Sequence, residues 1–356
     1  MTALRLGSLF DGIGVFPLAA FRCGIIPTWA SEIEKSPIAI TKRHFPDMAH
    51  LGDITEINGG KIPPVHVITF GSPCQNLSNI GNREGLAGSK SGLFYQAIRI
   101  IEEMRCATNG IYPAIAVWEN VMGAFSSNDR MDFRAVLQSF TDTEIPMPDT
   151  GGWANAGMVR GGKADVCWRL MDARYWGSPA LAQRRKRIFL VADFRGERSA
   201  EILFKTRDML PLLAPCTDYG LPAAGAGRIS LKETRGRIPI LQPFHDRRMR
   251  SAAKAKDETG FIGSFGRADE PFPTLLARAV NIFSFWYEGE EKDGFIRNLT
   301  PIECERLMGL PEGWTAYGSS SEAISDNARC KALGNAIALP CAEYIMAGIA
   351  QVIPER

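Results

Sequence analysis

The chain has 356 residues, 45% of them apolar, and a formal net charge of +2, so it can bury a sizeable core and does not need disulfide stapling. No run approaches the roughly 20 apolar residues that span a bilayer, and the start Met1-Thr2-Ala3-Leu4-Arg5 leads straight into a strand-like segment, so a cytosolic protein is expected. The eight cysteines include no Cys-x-x-Cys pair, which argues for reduced thiols and against structural zinc or any other metal site.

Short β-type runs at residues 4–10, 28–31, 65–70, 114–118, 167–172 and 187–192 alternate with helical patterns, which predicts an α/β fold built on a mainly parallel sheet. The first run ends in Phe10-Asp11-Gly12-Ile13-Gly14, a glycine turn at the strand end where doubly wound sheets bind ligands. Glu32 closes the second run, about twenty residues after Gly12, where a carboxylate can accept hydrogen bonds from ribose hydroxyls. Asp53, in the turn Gly52-Asp53-Ile54, is a third polar candidate. Together these point to a cofactor that contains a nucleoside.

The third run passes into Gly71-Ser72-Pro73-Cys74-Gln75-Asn76-Leu77-Ser78, placing a cysteine at a strand end beside free backbone N–H groups that can lower its pKa. Leu93, Ala97, Ile100, Ile101 and Met104 then recur at the spacing of one helix face, with Ser91 placed to cap the start. Glu119-Asn120-Val121 follows the fourth run, so Glu119 should emerge at the same sheet edge as Cys74. Residues 142–163 are rich in Gly, Pro, Asp and Thr and read as an inserted surface loop.

Gln183-Arg184-Arg185-Lys186-Arg187 precedes the last run, and alternation points Arg185 and Arg187 one way, Arg184 and Lys186 the other. After residue 194 prolines break the pattern and a smaller, irregular domain is expected. Residues 195–256 carry 13 Lys or Arg against 6 Asp or Glu, an asymmetry suited to phosphate neutralisation. Arg235, Arg237, Arg247, Arg248 and Arg250 in this stretch are candidate groove or phosphate contacts. The stretch 332–353 reads as a helix.

These motifs, in this order, resemble the bacterial and phage DNA cytosine-5 methyltransferases over nearly the whole chain. Phe10-x-Gly12-x-Gly14, Pro73-Cys74-Gln75, Glu119-Asn120-Val121 and Gln183-x-Arg185-x-Arg187 are similar to the family's cofactor loop, nucleophile loop, base-anchoring carboxylate and arginine pair. Residues 297–309 and Ala332-Leu333-Gly334-Asn335-Ala336 resemble its last motifs. The resemblance implies a Rossmann-like large domain at 1–194, a small target-recognition domain at 195–325, and a C-terminal helix at 326–356 that returns to the large domain. It implies S-adenosylmethionine as cofactor, with Phe10 on the adenine, Glu32 on the ribose, Asp53 near the adenine amino group, and Gly12, Ile13, Gly14, Ile33, Ile54, Pro73, Leu93 and Asn335 completing the pocket.

By the same resemblance Cys74 adds to C6 of a flipped-out cytosine, Glu119 holds its N3 and N4 edge, Arg185 contacts O2 and Arg187 supports the site. Gln75 and Ser78 would fill the gap in the duplex and hold phosphate. Double-stranded DNA is the implied substrate, a monomer is expected, and a cognate restriction endonuclease is a candidate partner. Ile33 departs from the family, standing where an aromatic residue often follows the glutamate. Three other readings remain open: an RNA cytosine-5 methyltransferase, a nucleotide-dependent oxidoreductase, and a DNA-binding regulator without catalysis. Against the second, Pro17 stands where Gly-x-Gly-x-x-Gly needs its third glycine.

Overall fold

The computed structural model describes residues 3–72, 92–149, 151–204, 239–246, 263–265, 271–277, 282–287 and 295–353. Its centre is one eight-stranded sheet. β1 (Arg5–Leu9), β2 (Ile26–Ser31), β3 (Ala49–His50), β4 (Val67–Phe70) and β5 (Ile115–Val121) are parallel. β6 (Ala156–Arg160), β7 (Asp165–Asp172) and β8 (Lys186–Asp193) extend it antiparallel, in the order β3-β2-β1-β4-β5-β8-β7-β6. The chain leaves β1 towards β2 on one side and returns to β4 on the other, so the order reverses between β1 and β4. Ligands of open α/β sheets bind at the carboxyl ends of strands flanking such a reversal.

Both faces of the sheet are covered, which is why β4 is buried at every position instead of alternating. Val67 and Val117 point into a core shared with α1 (Val15–Arg22) and α8 (Leu339–Val352). Their neighbours Ile68 and Trp118 point the other way, into a core with α3 (Gly92–Ala107) and α4 (Met131–Thr141). On α3 the buried side chains Phe94, Ala97, Ile98, Ile100, Ile101 and Met104 form one continuous face.

Two expectations about the elements are corrected. Residues 142–163 are not only a loop, because they contain β6, the outer strand of the sheet. Gly157 pairs with Trp168, and a Cβ at Gly157 would stand 2.2 Å from that indole, so the glycine that suggests a loop is what lets the tryptophan lie across the strand. Trp168 Nε1 then donates to Ala154 O at 2.9 Å, and Trp153 Nε1 to Arg130 O at 3.0 Å. The C-terminal stretch is likewise two helices, α7 (Asp326–Asn335) and α8, separated by Ala336–Ala338. Pro340 lies in the first turn of α8, where its missing N–H costs nothing and its ring disfavours helix just before it.

The residues after β8 divide between the large sheet and a second one. Ile202 and Leu203 of α5 (Ser199–Leu203) and Leu307 of α6 (Pro301–Leu307) lie in the same core as β1, and Tyr344 of α8 donates to Leu203 O at 3.0 Å. Between these helices, β9 (Pro239–Asp246), β10 (Gly263–Phe265), β11 (Ile282–Tyr287) and β12 (Phe295–Asn298) form an antiparallel sheet in the order β10-β9-β11-β12. Among the described residues no single helix is long and apolar enough to cross a membrane.

Candidate active site

One cavity of about 690 Å³ opens at the carboxyl ends of β1, β2, β4 and β5, within the size range of small-molecule sites. Its first wall is the turn after β1. Phe10, Gly12 and Gly14 all have positive φ, at 53, 57 and 77°, so the chain doubles back tightly before α1. Glu32, one residue past β2, braces that turn: its Oε2 accepts from Gly12 N at 2.8 Å, and its Oε1 from Ile33 N at 2.8 Å and Glu34 N at 3.0 Å. Asp53 lies beyond, its Oδ1 accepting from Thr55 N and Oγ1 at 2.9 and 2.8 Å. Ile13, Ile33, Ile54 and Leu93 give this end apolar surface, and Asn335, the last residue of α7, lines the opposite side.

The far end of the cavity is built from β4, β5 and β8. Glu119 lies within β5, which continues three residues further than its apolar run suggests. The carboxylate is 9% exposed and pairs with Arg187 Nε, which approaches Glu119 Oε1 at 3.0 Å. Burial raises the Glu119 pKa, and the opposing pull of Arg187 and then Arg185 does not reverse that direction. Burial thus favours the acid form of Glu119 relative to an ordinary carboxylate.

The stem of the cysteine loop is fixed to the same strand. Trp118 Nε1 donates to Ser72 Oγ at 3.1 Å and Asn120 Nδ2 to Ser72 O at 3.3 Å, so the backbone entering Pro73 is held beside Glu119. Pro73, Cys74, Gln75 and Ser78 lie outside the described residues, as do Arg235, Arg237, Arg247, Arg248 and Arg250. A Cβ on Gly71 would come within 2.9 Å of Glu119 Oε2. Gly71→Ala is thus expected to push the flexible carboxylate aside, leaving thermal stability nearly unchanged while lowering turnover by up to about a hundredfold. Melting curves and kcat measured together check this.

The arginine pair does not behave as alternation suggests. Arg187 lines the cavity with Glu119, whereas Arg185 does not. Arg185 is 1% exposed and donates to Leu275 O at 3.2 Å, Gly334 O at 3.0 Å and also Ala336 O. The structure does not bring Arg185 to the cavity where a base is expected: two nitrogens of its guanidinium are on these backbone carbonyls, and its Nε has no partner among the described residues. Residues 182–184 instead pair with Phe272, through Phe272 N to Ala182 O and Arg184 N to Phe272 O. Sequence reasoning also passed over Asp11 and Ser72. Asp11 carried a legible signal, a carboxylate in a tight turn at the end of an apolar strand.

The model of the C-5 cytosine-specific DNA methylases matches residues 4–211 and 230–351. The chain belongs to this family. It is therefore a DNA cytosine-5 methyltransferase, and the family's methyl donor is S-adenosylmethionine. Among curated relatives, the type II methyltransferase M.HhaI of Haemophilus parahaemolyticus is 26% identical over 97% of this chain and 94% of its own. M1.ScrFI of Lactococcus lactis subsp. cremoris is 25% identical over 98% of this chain and 78% of its own. A DNA N-6-adenine-methyltransferase of Escherichia phage P1 is 26% identical over 97% of this chain, which spans 61% of that longer protein. Two solved structures share the fold at 16% identity: a candidate DNA modification methyltransferase from an E. coli prophage, with TM-score 0.60 over 98% of this chain and 99% of that one, and the Schizosaccharomyces pombe Dnmt2 methyltransferase, with TM-score 0.56 over 97% of each.

Proposed function

We propose that the protein transfers the methyl group of S-adenosylmethionine to C5 of a cytosine rotated out of duplex DNA, with Cys74 as the nucleophile at C6. The observation that carries this reading is that one cavity joins the Phe10, Glu32 and Asp53 end to the Glu119–Arg187 pair. Its wall suits a cationic nucleoside: carboxylates and apolar side chains surround one end, and the only basic residue lining it among the described residues, Arg187, is already paired. Phe10, with Ile33 and Ile54, offers an apolar bed for adenine. Glu32 would hold the ribose, Asp53 the adenine amino group, and Gly12, Ile13, Gly14, Pro73, Leu93 and Asn335 the rest. Bound there, S-adenosylmethionine supplies an electrophilic methyl group on a sulfonium.

C5 of cytosine is too poor a nucleophile to take that methyl group unaided. Addition of the Cys74 thiolate forms the S–C6 bond and shifts electron density onto C5. Glu119, whose acid form burial favours, would present an O–H to N3 and a carbonyl to the N4 amine, matching the donor and acceptor order of that edge. Arg187, beside it, would donate to O2 in this reading. Loss of the C5 proton and breakage of the S–C6 bond then restore the enzyme. Reaching these atoms requires extruding the base, at a cost of a few kcal/mol.

The antiparallel sheet and the basic segment around it form the recognition unit in this reading, with limits near residues 205 and 298, because α5 and α6 pack with the large sheet. Purified protein with methyl-labelled cofactor is expected to place label on C5 of cytosine within one short duplex sequence, as bisulfite sequencing would reveal. Label found only on adenine N6 or only in tRNA would overturn the reading.

A further inference from the structure

Asp53 caps a turn too short to hold itself. The single 3-10 turn Ile54–Glu56 has three residues, too few for a helical segment to be stable alone, and its closing bond, from Ile57 N to Ile54 O, is long at 3.4 Å. On the entry side Ser31 Oγ, at the end of β2, donates to Gly52 O at 2.7 Å, and Leu51 N donates to Ala30 O at 2.8 Å. On the exit side the tether is α3. Arg99 donates from Nη2 to Ile54 O at 3.2 Å and from Nη1 to Ile57 O at 2.8 Å. Its own side chain is fixed by Gln96 Oε1, which accepts from Nε at 2.7 Å, and by Glu103 Oε1, which accepts from Nη1 at 2.8 Å. Glu103 Oε2 also accepts from Gly59 N at 2.6 Å. A Cβ on Gly59 would stand 2.2 Å from Ile100 O, so the chain after the turn lies directly on the helix.

This support leaves one oxygen of Asp53 for a ligand. Oδ1 is spent on Thr55 N and Oγ1, while Oδ2 has no hydrogen-bond partner among the described residues, on a half-buried side chain in the cavity wall. The adenine of S-adenosylmethionine offers one N–H donor group, its amine, and the reading above, on which this inference rests, gives that amine to Asp53. We propose that Arg99 is the positioning residue for this contact: by hanging the turn from α3 it sets the Asp53 carboxylate against the amine, and so makes the site selective for adenine over a purine without the amine. The support is rigid because the buried face of α3, from Phe94 to Met104, packs on the sheet, and Leu93 of the same helix lines the cavity. Only a planar fork reaches two carbonyls and a carboxylate at once; a compact ammonium does not. A hydrogen bond to a carboxylate held in register contributes roughly ten-fold in affinity, and most of that factor goes when the acceptor drifts out of range.

The test is calorimetric titration of the full-length protein with S-adenosylhomocysteine and with its analogue in which hydrogen replaces the adenine amine. Wild type should bind the parent roughly ten-fold more tightly than the analogue, and Arg99→Met should bring that ratio close to one, chiefly by weakening the parent. Arg99→Lys should restore only part of the ratio. Should Arg99→Met not fold, Glu103→Gln takes its place: it loosens the guanidinium without removing it, and should narrow the ratio in the same direction to a smaller degree. A variant that weakens both ligands equally, or neither, keeps the wild-type ratio and overturns the proposal while leaving the cofactor reading intact. Wild type that binds both ligands equally takes the amine from Asp53 and overturns the proposal together with that assignment. Wild type that binds neither ligand overturns the cofactor reading as well.

Discussion

Cys74→Ala and Glu119→Gln are expected to fail at different steps. With duplex DNA carrying 5-fluorocytosine at the target, wild type should form a covalent adduct in the presence of cofactor, because fluorine cannot leave as the C5 proton does. Cys74→Ala should form none and show no measurable turnover. Glu119→Gln should form the adduct slowly, with kcat lowered by roughly 10²–10³-fold and cofactor affinity unchanged. The amide can still donate to N3 and accept from N4, but it cannot yield a proton to N3 as negative charge builds up on the ring.

A pH dependence follows with a definite sign. Burial raises the Glu119 pKa, so the acid form persists above the usual carboxylate range, and wild-type kcat should fall as pH climbs through the raised value. Glu119→Gln should lack that limb. An adduct that persists in Cys74→Ala would remove the cysteine from its role, and a Glu119→Gln profile identical to wild type would remove the proton from the glutamate.

The residues around this cavity were legible because each lies where a strand ends or is about to end. Phe10 follows β1, Glu32 follows β2, Gly71 follows β4, and Glu119 sits near the end of β5. A parallel sheet carries all four carboxyl ends to one edge, so strand prediction alone gathers them. Depth and long-range pairing were less legible. Alternation puts Arg185 and Arg187 on one side, but β8 begins only at Lys186, and the partners of Arg185 lie 90 to 151 residues away. Nothing local in the sequence signals them. Strand β6 was hidden for a related reason: Gly157 has the composition of a loop, and only the indole of Trp168 across the pair explains it.

Arg185→Met is expected to destabilise the protein by about 2–4 kcal/mol and to weaken S-adenosylhomocysteine binding with it. The guanidinium joins two segments distant in sequence: Leu275, in the connection between β10 and β11, and Gly334 with Ala336, which flank the cavity-lining Asn335. At the same contact a Cβ on Gly334 would come within 2.4 Å of Ala277 N, so the two backbones touch with no side chain between them and the arginine seals the seam. The burial that makes this clamp also strains it. Burial, with repulsion from Arg187, brings the Arg185 pKa down to about 9, so the wild-type protein carries a desolvated charge that methionine would remove. The expected loss is therefore the cost of three carbonyls, two of them in fully buried contacts, losing the arginine as donor, reduced by that relief. Arg185→Lys keeps the charge but offers one compact donor group in place of a planar fork, and should recover only part of the loss. Denaturant unfolding of the three proteins, with cofactor titrations on each, measures both effects. A change below about 1 kcal/mol in Arg185→Met would mean that the glycine seam, and not the guanidinium, holds the cavity wall to the connection between β10 and β11.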